Sequence, residues 1–368
     1  MDETTVGAIR AAGAAGVPVL LWGPPGAGKS SLICALAAAE NVPCEVVIGS
    51  VREPSDFAGL PVVGDDGTVS MAPPAWARRL ADAPDGSWLF LDELSTAPPA
   101  VQAALLRVVL DRHVGDLALP PTVRVVAAAN PPEQAADGWD LSAPLANRFL
   151  HLDVGPSAAT FIQGIGGGWV TPTTAVEVTG AVAGSRLAEA RGQVAGFIHH
   201  RPDLLLQVPR DPASAGRPWP SPRTWDMLAN VLARVPRGDT ATASLVARGL
   251  VGEGAAVEFL TWRDYADLPD PEALLADPSC FAWNQRPDRV LAALAGVTAV
   301  IATHTTKERW AKGWSVLGAA AGAGSPDVAA VAARALLACR PGGAPIPKSA
   351  RAFAPVLRDA GLLSEAAA

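Results

Sequence analysis

The sequence predicts an α/β fold, a parallel sheet flanked by helices, followed by a largely helical remainder. Three observations carry that expectation. Short, mostly apolar runs at 17–22, 45–48, 87–91, 122–129 and 150–154 read as strands buried on both faces, the pattern of a parallel sheet. Helical spacing fills the intervals at 29–39 and 98–111. Beyond Pro156 the strand signals thin out and helical periodicity takes over.

Composition bounds the rest. At 368 residues the chain is long enough for two or three domains. Its net charge of −7 argues against a protein whose main work is gripping nucleic-acid phosphates. Cys34, Cys44, Cys280 and Cys339 show no C-x-x-C spacing, so neither zinc nor a disulfide framework is indicated. They are expected to be small buried hydrophobes of a reducing cytosol. Asp2 and Glu3 stand where a signal peptide would begin with basic residues, and apolar stretches such as 11–22 fall short of the ~20 residues that span a bilayer. The expectation is a soluble, cytoplasmic chain without membrane insertion.

The first strand runs directly into Gly23-Pro24-Pro25-Gly26-Ala27-Gly28-Lys29-Ser30, spaced G-x-x-x-x-G-K-S, with Ser31 next in line. Such a loop between a buried strand and a helix start lets backbone N–H groups wrap a polyphosphate, with the helix dipole behind them. Lys29 is the residue to reach the β- and γ-phosphates, and the Ser30 hydroxyl the one to ligate Mg²⁺. After the second strand, 52–59 reads as a brief helical piece in which Phe57 is expected to serve the core. Gly64-Asp65-Asp66-Gly67 between two apolar runs signals a hairpin over 60–71.

The run 87–91 ends in Asp92 and Glu93, at the strand end where α/β sheets place ligands. Asp92 is read as holding the Mg²⁺ shell and Glu93 as orienting or deprotonating the attacking water. The helix at 98–111 precedes Arg112, His113, expected in an exposed loop, and a second small hairpin over 113–121. The strand 122–129 ends at Asn130-Pro131-Pro132, where Asn130 can bond a γ-phosphate or lytic water or simply make an Asx turn. Arg148, in Asn-Arg-Phe, could pair with a carboxylate of its own subunit.

In the helical remainder, 165–168 is read as a flexible joint, and 202–222 is proline-rich. Ser221-Pro222-Arg223 opens a helix, with Ser221 as its cap. Further helices are expected at 290–303, 307–321, 327–339 and 350–363, without a repeat period. His199, His200 and His304 are too isolated for a metal site.

Together these residues resemble an AAA+ ATPase, and within it the MoxR-like, helix-2-insert group. Gly23–Ser30 matches Walker A, Leu89–Glu93 Walker B, Asn130 sensor 1, Arg148 the arginine finger and Arg223 sensor 2. Glu53–Leu60, Gln102–Leu106 and Ala129–Pro132 resemble that group in wording, and the hairpin at 60–71 sits at its helix-2 insert. The resemblance implies a P-loop AAA+ core, a five-stranded parallel sheet sandwiched by helices, over 1–155. It implies an α-helical lid over 156–285, with a helical extension of open role over 286–368. It further implies ATP and Mg²⁺ as ligands, a homo-oligomer, hexameric in the family, and Arg148 acting in trans on the neighbouring subunit, with Arg112 as the alternative finger. A protein client and a partner carrying a von Willebrand factor A domain are implied by resemblance alone. Two other readings stay open: a nucleic-acid-stimulated AAA+ motor, opposed by the acidic balance, and an ATP-gated scaffold with little turnover, opposed by the complete set Lys29, Asp92, Glu93, Asn130 and Arg148.

Overall fold

The computed structural model describes residues 3–131, 139, 141–168, 180–284 and 286–359. It opens with a helix that periodicity did not separate from the first strand, α1 (Glu3–Ala14), burying Ala8, Ile9, Ala11 and Ala12. Its alanine-rich sequence merges into the apolar residues before the strand, so no polar break announced it. Then come β1 (Val19–Trp22), α2 (Lys29–Ala39), β2 (Cys44–Ile48) and α3 (Ser55–Ala58). The hairpin β3 (Leu60–Val63) and β4 (Val69–Ala72) leads to α4 (Ala75–Ala81), β5 (Ser87–Asp92) and α5 (Pro99–Asp111). A second hairpin, β6 (His113–Val114) and β7 (Leu117–Ala118), precedes β8 (Val123–Ala129), α6 (Ala143–Ala146), β9 (Leu150–Asp153) and α7 (Ala158–Gly167).

Both expected hairpins are present, but His113 is a half-buried strand residue paired with Ala118, not an exposed loop residue. The expected joint at 165–168 is instead the end of α7, whose start is capped by Ser157 accepting from the Thr160 N–H. Glycines there lower helix propensity without abolishing a capped helix.

The main sheet has the order β2-β5-β8-β1-β9, every pair parallel. Trp22 at the end of β1 is in register with Ala129 of β8 and Asp153 of β9. The C-terminal ends of β1, β5 and β8 therefore meet along one edge, where the loops that follow them converge. One core cluster joins Leu20, Val47, Leu89 and Val125 of the sheet to Phe57, Trp76, Leu80, Leu105 and Val108 of the helices. Phe57 packs edge-on against Trp76 with centroids 6.2 Å apart, the core role its position predicts.

Two compact units divide the chain, 1–177 with 206–256, and 178–205 with 257–368. This differs from boundaries at 155 and 285. The helices α9 (Pro212–Ala215), α10 (Pro222–Leu232) and α11 (Thr240–Val251) belong with the sheet, and α10 and α11 pack against α1. Gly249 shows how close α11 comes to β9: a Cβ there would lie 2.2 Å from the His151 carbonyl oxygen. The change from strand to helix at 156 is visible in sequence, whereas the face against which a later helix packs is not.

The second unit contains α8 (Gly180–His200), most of α12 (Glu253–Ala266), α13 (Pro271–Ala276), α14 (Pro287–Thr303), α15 (Lys307–Gly322), α16 (Pro326–Ala338) and α17 (Ala354–Asp359). Its core includes Val290, Leu294, Val297, Trp310, Trp314 and Leu317. Buried indoles need acceptors: Trp262 Nε1 donates to Asp288 at 2.6 Å and Trp310 Nε1 to the Leu336 carbonyl at 2.8 Å. The expected helix at 350–363 is a 3₁₀ turn at Lys348–Phe353 followed by α17, and residues past 359 lie outside the described ones.

The cysteines are not the buried hydrophobes expected. Cys34 and Cys280 are exposed and Cys44 and Cys339 half-buried, all as free thiols. Cys34 lies on the outer side of α2, whose buried positions are Lys29, Ile33, Leu36 and Ala37. Among the described residues no helix is long and apolar enough to cross a membrane.

Candidate nucleotide site

The loop 23–28 joins β1 to α2. Gly26 (φ 78°) and Gly28 (φ 85°) take the left-handed backbone that side chains resist, which turns successive N–H groups to one side at the helix start. Lys29, the first residue of α2, is only 7% exposed. Its Nζ donates to the carbonyls of Gly23 (2.6 Å) and Pro24 (3.1 Å) and to Asn130 Oδ1 (3.0 Å). Burial lowers the pKa of the ammonium, and the carboxylate of Asp92 opposes that shift. Ser30 Oγ donates to Asp92 Oδ2 at 2.8 Å, joining the loop to the end of β5.

Glu93 sits just past that strand with φ 57° and ψ 40°, a left-handed conformation uncommon for a residue with a side chain. Its N–H donates to Asp92 Oδ1 at 2.9 Å, and its Oε2 accepts from the Ser50 hydroxyl. Ser50 was not singled out from the sequence; its place just after β2, on the edge where the strands end, was the available signal. Asn130 is held at both ends, since its N–H donates to Ser95 Oγ at 3.1 Å while its side chain meets Lys29. Ser95 was also missed.

Pro25 through Ser31, Asp92, Glu93 and Asn130 line one cleft of about 320 Å³. Gly23 and Pro24 do not line it, and spend their carbonyls on Lys29 instead. The donor set suits a small hard cation. Magnesium takes oxygen ligands at about 2.0–2.1 Å, which puts neighbouring ligands about 3 Å apart. The Ser30 and Asp92 oxygens, at 2.8 Å, have that spacing. Pro132, which follows Asn130-Pro131, lies outside the described residues.

The arginines lie elsewhere. Arg148, directly after α6, donates through Nη1 to the Pro144 carbonyl, and its buried Nε has no hydrogen-bond partner among the described residues. Arg223 is exposed on the first turn of α10, with Nη1 3.5 Å from Asn147 Oδ1. Ser221 caps α10 in a reciprocal box with Thr224, and its hydroxyl also donates to Asn147 Oδ1 at 2.8 Å. Asn147 thus ties α6 to α10 and sets the two arginines side by side. Burial, and after it the charge of Arg223, lowers the pKa of Arg148, with Asp111 opposing. Neither arginine lines the cleft. Arg112 is committed within its own chain: its guanidinium donates to the carbonyls of Pro120, at 2.9 Å, and Val123.

Behind this lies a residue that the sequence did not reveal, His151 of β9. Its Nδ1 accepts from Trp22 Nε1 at 2.9 Å, and its Nε2 faces the Ala146 carbonyl at 2.9 Å. The two partners define a neutral imidazole protonated at Nε2. Burial is the main cause that holds its pKa down, to about 4.

A glycine-rich loop leading into a helix, a strand ending in paired carboxylates and a polar residue ending the next strand define a P-loop nucleotide-binding domain of the AAA+ class. Residues 18–149 match the AAA domain of the dynein-related subfamily. Over 144 residues the chain is 33% identical to protein MoxR of Methylorubrum extorquens, a stretch that covers 38% of this chain and 40% of that protein. A solved structure from Cytophaga hutchinsonii, with a provisional ATPase assignment, overlaps 69% of this chain and 83% of its own at 16% identity and a TM-score of 0.38. The α/β part of this chain is thus similar to the AAA domain of the dynein-related subfamily and to protein MoxR. The matched stretch spans well under two thirds of its curated relative, 40% of it.

Proposed function

We propose that the protein is a ring-forming ATP hydrolase that couples turnover to the remodelling of a protein client. One observation carries the hydrolytic part: Lys29, Ser30, Asp92, Glu93 and Asn130 line a single cleft, joined by the Lys29–Asn130 and Ser30–Asp92 hydrogen bonds. In this reading the N–H groups of 26–30 and Lys29 bind the phosphates. Ser30 and Asp92 hold magnesium, which neutralises phosphate charge when bound. Glu93 takes a proton from the attacking water and Asn130 orients that water.

Arg148 is proposed to serve a neighbouring subunit's site, and Arg223 to act beside it from α10. Two cations held together outside the cleft of their own chain support an assembled ring, hexameric in the family. The hairpin β3–β4 exposes Leu60, Val62, Val63 and Val69, an apolar surface suited to a protein client. A von Willebrand factor A domain partner is proposed from the resemblance alone. Four free thiols accord with a cytoplasmic setting.

The test is Glu93→Gln. It should retain ATP binding and lose turnover by roughly 10²–10⁴-fold, the usual contribution of a general base. It should also hold an ATP-dependent oligomer on its client. Wild-type turnover in this variant would remove Glu93 from the chemistry, and a monomer with bound ATP would remove the ring.

A further inference from the structure

The strand β8 outlasts one of its two neighbours. β5 pairs with it only as far as Leu91 opposite Ala127, then turns away through Glu93 into a 3₁₀ turn, Leu94–Thr96. On the other side β1 keeps pace, with Trp22 in register with Ala129, whose carbonyl accepts from the Gly23 N–H at 3.2 Å. Successive residues of a strand turn their backbone groups to opposite neighbours, so the Asn130 N–H points to the side that β5 has left. A backbone donor that has lost its ladder partner needs another acceptor. Ser95 supplies it: its hydroxyl, on a residue only 3% exposed, accepts that N–H at 3.1 Å from 35 residues away. Ser95 is braced in turn. Its carbonyl accepts from the Trp139 N–H at 2.7 Å, and Thr96 closes the turn by donating its N–H (3.2 Å) and its hydroxyl (3.0 Å) to the Glu93 carbonyl.

With its backbone fixed, Asn130 has one side-chain orientation. Lys29 carries donors only, so the amide oxygen must face the ammonium, as it does at 3.0 Å. That leaves the NH₂ group, with its two donors, for an acceptor elsewhere in the cleft that both residues line. We propose that Ser95 is a positioning residue for triphosphate recognition: by holding Asn130 where the β5–β8 ladder ends, it keeps the Asn130 NH₂ group in place for a terminal phosphate oxygen and so sets the preference for ATP over ADP. This rests on the nucleotide-site reading above. Ser95 does not itself line the cleft, so its effect passes through Asn130. The same hydroxyl ties Asn130 to the turn that begins at Glu93, which puts the proposed base and the amide on one braced unit.

The test is a double-mutant cycle read in nucleotide binding. The full chain with magnesium is titrated with ADP and with adenylyl imidodiphosphate, a triphosphate analogue with a non-hydrolysable β–γ link, and the ratio of the two Kd values is taken. Asn130→Ala should lower the preference for the triphosphate by about ten-fold, the worth of a hydrogen bond to a charged group. Ser95→Ala should lower it by at least about three-fold with ADP affinity unchanged. The double variant should fall no further than Asn130→Ala alone, because Ser95 has nothing to position once the amide is gone. Urea midpoints establish that each variant is folded under the assay conditions. Additive losses would overturn the proposal, since Ser95 would then act by another route. A wild-type ratio in Ser95→Ala, or a wild-type chain with no preference for the triphosphate, would overturn it equally. Binding and turnover are separate readouts: a non-additive cycle in a chain that does not hydrolyse ATP would sink the hydrolase reading alone, and hydrolysis with an additive cycle would sink only the role of Ser95.

Discussion

Acid should weaken this protein through His151 in a way that can be separated from its many carboxylates. In the folded chain the imidazole has a pKa of about 4 against an ordinary 6.5, because it is buried and its Nδ1 is already occupied by the Trp22 N–H. Above about pH 6.5 both folded and unfolded chains hold it neutral, and it costs nothing. As pH falls below that, the unfolded chain takes up a proton that the folded chain refuses, so stability drops by about 1.4 kcal/mol per unit. The loss levels off near pH 4, the folded pKa, at about 3 kcal/mol in all. The assay is urea unfolding of wild type and His151→Gln at about pH 7 and about pH 5, all other titrations being common to both. Glutamine keeps a donor for the Ala146 carbonyl but does not titrate. Wild type should therefore be the more stable at the higher pH, with its advantage shrinking by about 2 kcal/mol at the lower. An advantage independent of pH would refute the buried, neutral imidazole.

Two further predictions separate residues that look alike in sequence. Arg148→Ala should leave ATP binding and the melting temperature near wild type while lowering assembled turnover by about 10³–10⁵-fold, the worth of an arginine finger. Arg112→Ala should do the reverse, costing about 1–3 kcal/mol in urea unfolding by removing the half-buried guanidinium that donates to the Pro120 and Val123 carbonyls. Gly249→Ala should destabilise the folded chain by about 1–2 kcal/mol, although alanine is the better helix former. The new Cβ would sit 2.2 Å from a backbone carbonyl, and overpacking of about 1–3 kcal/mol outweighs a helix gain of about 1. A rise in urea midpoint would contradict that close approach.

The sheet and the cleft were legible because their signals are local. Five apolar runs, a loop of fixed spacing and polar residues at strand ends each state their role within about ten residues. The order of those residues in space then followed from the rule that α/β sheets bind at their C-terminal edge. What was not legible depends on contacts distant in sequence. Ser50 meets Glu93 across 43 residues, and His151 meets Trp22 across 129. The grouping of α10 and α11 with the sheet rests on α1, a helix concealed by its own alanine content. Cys34 fell the same way, since its exposure depends on which side of α2 the sheet occupies.

The proposed role of Arg148 in a neighbouring subunit's site has a physical requirement that separates it from Arg112. A guanidinium that is to act on another molecule's phosphate must not be spent at home. Arg112 is spent on two backbone carbonyls. Arg148 has one carbonyl, and burial followed by the neighbouring charge of Arg223 disfavours its cation, with Asp111 opposing. The residue between them decides whether that charge survives. Asn147 is buried, gives its Nδ2 to the Trp219 carbonyl at 3.3 Å and offers Oδ1 to Ser221 and Arg223. A carboxylate in its place would keep the acceptor for Ser221 but lose the donor to the Trp219 carbonyl, and would also neutralise the arginines beside it. A neutral amide positions both and quenches neither. With only the Asp111 carboxylate acting against it, the positive charge on Arg148 would remain available to an outside anion, as the proposed finger in trans requires.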